Sequence, residues 1–250
     1  MRDNDFERGI WHPNESDYAT MLDRLEKLFP KNYRAGNILL LNADCMEVMK
    51  HIKDNEFELS CVDPPYGVKR DNGFDGFGGF GKPIARTKYK GDWDSERPKQ
   101  EYFTELLRVS KVQIIWGGNF FADLLPASGH WVFWDKKNTM PTFGDGELAY
   151  IGGTKRKSVK RHELEYNGLL GREIERIHSC QKPVKLYDWL LTNYAEKGQK
   201  ILDTHGGSFS SAIAAHYFGV EYVGIEIDED YFNASIERIT EQTKQMDLLA

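Results

Sequence analysis

The residues best suited to chemistry stand in one tetrapeptide, Asp63-Pro64-Pro65-Tyr66, at the end of the apolar run FELSCV. That run reads as a buried strand, so Asp63 closes it at the carboxyl end of a sheet, where open α/β sheets bind their ligands. Proline fixes φ and lacks an N–H, so Pro64 and Pro65 hold the turn stiff and present carbonyl oxygens as acceptors. Tyr66 adds a flat aromatic face. Two acceptors beside such a face match a planar ring that carries an exocyclic amino group. An amino group of this kind is a poor nucleophile, because its lone pair is delocalised into the ring. If Asp63 and the Pro64 carbonyl accept its two hydrogens, the nitrogen moves toward tetrahedral geometry and the lone pair is freed for attack. This is catalysis by positioning and preorganised electrostatics, with no covalent enzyme intermediate. A base inside a duplex would have to flip out to reach the site, with Tyr66 replacing the lost stacking.

A second constellation lies late in the chain. ILDTHGGSFSSAIAA reads as strand, tight turn and helix, and Gly206-Gly207-Ser208 permits close backbone approach in the turn. Glu226 ends the next strand, YVGIEI, about 20 residues on, where an acid accepts hydrogen bonds from ribose hydroxyls. GxxxxGK[ST] is absent, and the strand-to-helix turn ILDTHGGSFS carries no full GxGxxG, which disfavours a P-loop and nicotinamide binding there. A nucleoside cofactor with no pyrophosphate to cradle remains, and S-adenosylmethionine fits, its sulfonium methyl serving as the electrophile. His178 and His205 are isolated from Cys or acid pairs at ligand spacing, so no metal is implied.

These groups need a sheet to position them. NILLLN, FELSCV, KVQIIWGG, QKILD and EYVGIEI read as buried strands. ESDYATMLDRLEKLF, CMEVMKHI, QEYFTELLRVS, PVKLYDWLLTNYA and DEDYFNASIERI read as helices, with Asp228 as an N-cap. HWVFWDKK and GELAYIGG read as an antiparallel hairpin, and Trp116 as core. Strands alternating with helices imply an α/β, doubly wound, mostly parallel sheet carrying that hairpin, in a single domain over 1–250. Residues 67–98 are glycine-rich and polar, too long for a passive connection, and read as a mobile binding loop. In it Lys82, Arg86, Lys88 and Lys90 interleave with Phe74, Phe77, Phe80 and Tyr89, a composition suited to clamping a nucleic-acid strand. TKRKSVKR gathers Lys155, Arg156, Lys157, Lys160 and Arg161 for contact with phosphates.

The chain of 250 residues has a formal net charge of −6, so a polyanion must meet local basic patches rather than the average surface. Three well-separated cysteines, Cys45, Cys61 and Cys180, argue against a disulfide framework and a structural zinc site and suit a reducing cytoplasm. No apolar run approaches membrane-spanning length, so no membrane partner is expected.

At Asp63-Pro64-Pro65-Tyr66 the sequence resembles the DPPY amino-methyltransferases that form N6-methyladenine in DNA. The DPPY lies early, whereas HSCQKPVKLYDWLLTNY and ILDTHGGS come late; that order resembles the circularly permuted β group, especially its small phage- and prophage-borne members. The resemblance covers about Asn37 to Ala234. It implies a Rossmann-like S-adenosylmethionine-dependent methyltransferase fold, DNA as partner, S-adenosylhomocysteine as product, and a homodimer as one open assembly. By position it implies that Asp44 and Cys45 lie near the cofactor adenine, and that Lys182 and Pro183 lie in the segment lining its methionine end. Asp203, His205, Gly206, Gly207 and Ser208 fall in the cofactor turn and Glu226 on the ribose, with Asp63 shared between cofactor and base. The hairpin falls beside the target base, and 154–177 is a short target-recognition segment. The family turn reads D-P-F-x-G-S-G-T, and here Phe209 replaces a glycine. A shifted turn, with Gly206 and Gly207 taking over, accommodates it. Two alternatives stay open: cytosine-N4 as the acceptor, a branch that more often carries Ser at position 63, and a nucleic-acid-binding module with a decayed cofactor site, which Phe209 favours.

Overall fold

The computed structural model describes residues 20–68, 96–138, 144–166, 177–178 and 180–244. Its nine-stranded sheet has the order β1-β2-β9-β8-β3-β4-β6-β5-β7. The parallel centre consists of β2 (Ile38–Asn42), β9 (Glu221–Glu226), β8 (Lys200–Asp203), β3 (Phe57–Val62) and β4 (Ser110–Trp116). These strands read as continuous apolar runs because both faces are covered. In β2, Ile38 and Leu40 point into one core while Leu39 and Leu41 point into the other. The first core is closed by α4 (Val184–Tyr194), α5 (Ser210–Phe218) and α6 (Glu229–Lys244). The second is closed by α1 (Met21–Leu28), α2 (Cys45–Met49) and α3 (Gln100–Val109). Thr20 caps α1 by accepting from Asp23 N, and Asp228 caps α6 by accepting from Tyr231 N at 3.0 Å.

The hairpin forms as expected: β5 (Trp131–Asp135) pairs antiparallel with β6 (Gly146–Gly152), and β6 pairs antiparallel with β4. Two strands went unread in the sequence. Asn32–Ala35 forms β1, folded back on β2 through a turn in which Gly36 takes φ +57°. Val159–Glu163 forms β7, parallel to β5 at the opposite sheet edge. Trp116 is fully buried, as expected of core.

The chain visits the sheet out of spatial order. β8 and β9 come late but insert between β2 and β3. All four strands run the same way, so Glu226, Asp203 and Asp63 stand at their carboxyl ends along one edge, with Asp44 just beyond β2.

Candidate active site

The turn after β8 is built around a buried acid. Asp203 Oδ2 accepts from Ser211 Oγ at 2.6 Å and from the Tyr222 hydroxyl at 3.2 Å, while Oδ1 accepts from His205 N at 3.1 Å. Burial pushes its carboxyl up to about 6, against the pull of those donors. Asp203 therefore fastens the turn to α5 and β9 rather than opening into the cleft. Phe209 holds the conformation that a glycine would supply, with φ 50° and ψ 36°, and its ring is fully buried. The ring packs where only glycines leave room: a Cβ on Gly206 would come within 2.0 Å of it, and one on Gly224 within 2.4 Å. So Phe209 keeps the backbone path and turns its side chain into the core.

Gly207, at φ +53°, faces His178, whose ring also lies edge-on to Tyr231 with centroids 4.6 Å apart. The segment around His178 thus comes to the turn. Glu226 Oε2 accepts from Gly207 N, and Oε1 accepts from Asp228 N, both at 2.8 Å. Burial raises the Glu226 carboxyl above its usual range despite these two donors. His205 is held down to about 4 by burial, and so is neutral. Ser208 is buried. Asp44 caps α2, accepting from Met46 N at 2.8 Å, and Cys45 beside it is pushed up to about 12 by burial and by Asp44.

Asp63 meets two partners at the end of β3. Its Oδ1 accepts from the Tyr66 hydroxyl at 2.6 Å, and its Oδ2 is ion-paired with Lys182 Nζ. Pro64 is buried and Pro65 half-buried, so the turn is wedged in place. The Tyr66 ring stacks on Phe120, with centroids 4.9 Å apart and planes 15° from parallel. It also lies against Gly117, which takes φ +66°, and a Cβ there would meet the ring at 2.2 Å. Burial, then Asp63 and Glu147, raise the Tyr66 phenol well above its usual range, so it stays a donor.

Lys182 brings a further acid into the cleft. It is 6 % exposed, and Pro183 after it caps α4. Its Nζ lies 3.3 Å from Glu147 Oε2 and 5.3 Å from the centroid of the Trp116 ring. Glu147 Oε1 is held by Lys136 Nζ at 2.5 Å. Burial opposes charge on both Lys182 and Glu147, but the opposite charges outweigh it. The Lys182 ammonium is raised, and Glu147 is held down to about 2. Sequence reasoning placed Lys182 at the cofactor and missed Glu147 and Lys136. The only signal was their position in the hairpin expected beside the base.

The basic residues divide. Lys82, Arg86, Lys88 and Lys90 lie outside the described residues. Arg161 is ion-paired with Asp135 and Glu163, and Lys160 donates to Asn193 Oδ1 at 3.3 Å. Lys155, Arg156 and Lys157 are exposed and form no ion pair among the described residues. They lead into β7, whose first residue Val159 is level across the sheet with Trp131, Tyr150, Ile115 and Val62, so the run approaches the level of Asp63 four strands to the side of β3. No helix among the described residues is long and apolar enough to cross a membrane, and no described group of three or more His, Cys, Asp or Glu could hold a metal.

Comparison with known proteins gives concordant results. The profile of the DNA methylase family, which covers N6 and N4 enzymes, matches residues 112–237. The type II methyltransferase M2.DpnII of Streptococcus pneumoniae is 22% identical over 249 residues, covering 83% of this chain and 91% of that protein. The putative methylase YubD of Escherichia coli K12 is 27% identical over 227 residues, covering 82% and 92%. Among solved structures, the cytosine-N4-specific PvuII DNA methyltransferase superposes with a TM-score of 0.59 at 12% identity, covering 87% of this chain and 95% of that one. The M1.HpyAVI complex with S-adenosylmethionine gives a TM-score of 0.54 at 16% identity, covering 81% and 98%. At such identities the superpositions speak for a shared fold.

Proposed function

The chain belongs to the DNA methylase family, and from that membership and the cleft around Asp63 we propose that it methylates the N6 amino group of an adenine flipped out of DNA, using S-adenosylmethionine. The observation that carries this reading is the Asp63–Tyr66 pair at the end of β3, in line with the Glu226 turn at the end of β9. The turn fits the cofactor: Gly206 and Gly207 add no side chain, and Glu226 is a partly buried acceptor at a strand end. Glu226 would take the ribose hydroxyls, while Asp44 and Cys45 would flank the adenine. His178, Lys182 and Pro183 would border the methionine end. S-adenosylmethionine, when bound, supplies an electrophilic methyl on a sulfonium sulfur.

The chain's own residues would do the rest. Asp63 and the Pro64 carbonyl accept the two amino hydrogens and aim the nitrogen lone pair at the methyl. Tyr66, braced by Phe120, offers its ring to the base. The Asp63 carboxylate would stabilise the positive charge that accepting a methyl group places on the amino nitrogen, and it could take the proton that the nitrogen then sheds. Asp63 favours adenine over cytosine, through the family branch that its motif resembles. Phe209, the residue that suggested a decayed cofactor site, keeps its ring out of the turn's open side.

Incubation with S-adenosylmethionine and DNA of mixed sequence, followed by digestion to nucleosides, tests this. N6-methyldeoxyadenosine is the expected product. N4-methyldeoxycytidine would move the acceptor to cytosine, and no cofactor binding by calorimetry would leave a binding module.

A further inference from the structure

Resting on that reading, we propose that Lys182 and Glu147 form a displaceable gate over Asp63, in which the ammonium moves from Asp63 to Glu147 when the target base enters. Both oxygens of Asp63 are engaged, one by the Tyr66 hydroxyl and one by Lys182. The reaction needs one of them for an amino hydrogen. It also needs the carboxylate's charge for the nitrogen that turns cationic, and an ammonium seated on Asp63 cancels that charge.

The structure provides a second seat for the ammonium. Glu147 Oε2 is buried and already ion-paired with Lys182 Nζ at 3.3 Å, but without the geometry of a good hydrogen bond. That oxygen thus has room to take the ammonium more closely. Lys136 holds the other oxygen, Oε1, and so keeps Glu147 in place. Glu147 is held down to about 2, so it is ionised at neutral pH and ready to take the cation. A lysine side chain needs only a rotation about its terminal bonds to trade one acceptor for another at this distance, so no element has to move. Tyr66 keeps its hydroxyl on Asp63 throughout.

Glu147 is on this account a positioning residue, acting through Lys182. The gate ties activation of Asp63 to base entry. It also keeps a buried carboxylate paired when no base is there.

The test uses the full chain and a DNA that the parent demonstrably methylates, which separates failure of the gate from failure of the proposed activity. Glu147→Gln removes the charge that draws the ammonium away. Its single-turnover rate should fall roughly tenfold, on the scale of one charge-assisted hydrogen bond, at unchanged cofactor affinity. Adding Lys182→Met, read at saturating S-adenosylmethionine because Lys182 also borders the proposed cofactor site, should raise the rate above that of Glu147→Gln alone, because no cation remains to be moved; a merely structural role for Glu147 would show no such rescue. A Glu147→Gln protein at the parent rate, or a double variant as slow as the single, overturns the proposal. Should Glu147→Gln fail to fold by thermal melting, Lys182→Met alone decides, read by 2-aminopurine at the target position. Its fluorescence should rise at lower protein concentration than with the parent, and an unshifted titration overturns the gate.

Discussion

Asp63 carries the largest expectation for a single residue. Asp63→Ala should bind S-adenosylmethionine nearly as the parent does and lose methyl transfer by roughly 10²-fold or more, the scale for removing one preorganised polar contact to developing charge. Single-turnover rates beside calorimetric affinities measure the split, and a folded variant transferring at the parent rate would make Asp63 a structural residue. The alanine strips Lys182 of one partner, but Glu147 remains close by, so the fold should survive. Asp63→Asn keeps an acceptor without charge and should be impaired less. Asp63, Tyr66, Gly207 and Glu226 were legible in sequence because each adjoins the end of an apolar run, and a strand end in an open α/β sheet is a predictable place. Glu147 and Lys136 were not. They reach Lys182 only through the antiparallel pairing of β6 with β4 and β5, and no local pattern encodes that juxtaposition.

Among elements, the link from β8 to α5 holds a titrating fastener. The Asp203 carboxyl, at about 6, lies above the ordinary 3.8, so the native state holds its proton more tightly than the unfolded chain. The stability it contributes is full below about 3.8 and is lost as pH rises through about 6, on the order of 3 kcal/mol across the window. Urea unfolding at stepped pH should show Asp203→Asn lacking this decline, so that the two stability curves converge or cross between pH 4 and 6.5. Parallel curves would place the proton elsewhere. The link itself was readable, since strand, glycines and helix follow one another in the text. Phe209's left-handed backbone was not, because bulky residues rarely adopt it and its ring is accommodated by the distant Gly224. β1 and β7 escaped notice for another reason. They are short edge strands, β7 mostly charged and β1 half-buried throughout with Arg34 its one charge, so neither shows an apolar alternation, and charge on an edge keeps it from pairing with other chains.

For the molecule as a whole, a net charge of −6 leaves local cations to meet DNA. Lys155, Arg156 and Lys157 are candidates because no acid neutralises them among the described residues, whereas Arg161 is already paired. The start of β7 is level with the end of β3 and four strand spacings away, roughly 19 Å at about 4.8 Å each, less than the 34 Å or so of one duplex turn. A duplex lying across the sheet edge could therefore touch both. Neutralising the three together should weaken binding to all sequences alike and lower the slope of log affinity against log salt by about 2 to 3. Fluorescence anisotropy over a salt series reads this, and an unchanged slope would make the run solvated surface. One further feature concerns where the chain leaves this scaffold. Gly67, at φ +70°, packs so closely on Arg97 that a Cβ would meet its backbone nitrogen at 2.8 Å, and Arg97 is clamped to Asp123 by two hydrogen bonds of 2.7 and 2.6 Å. Gly67, next to Tyr66 in the chain, and Arg97 are thus fixed side by side. An evolving lineage can lengthen, shorten or exchange the residues between these two anchors without re-laying any of the described strands, so partner preference and catalytic machinery are free to change at separate rates.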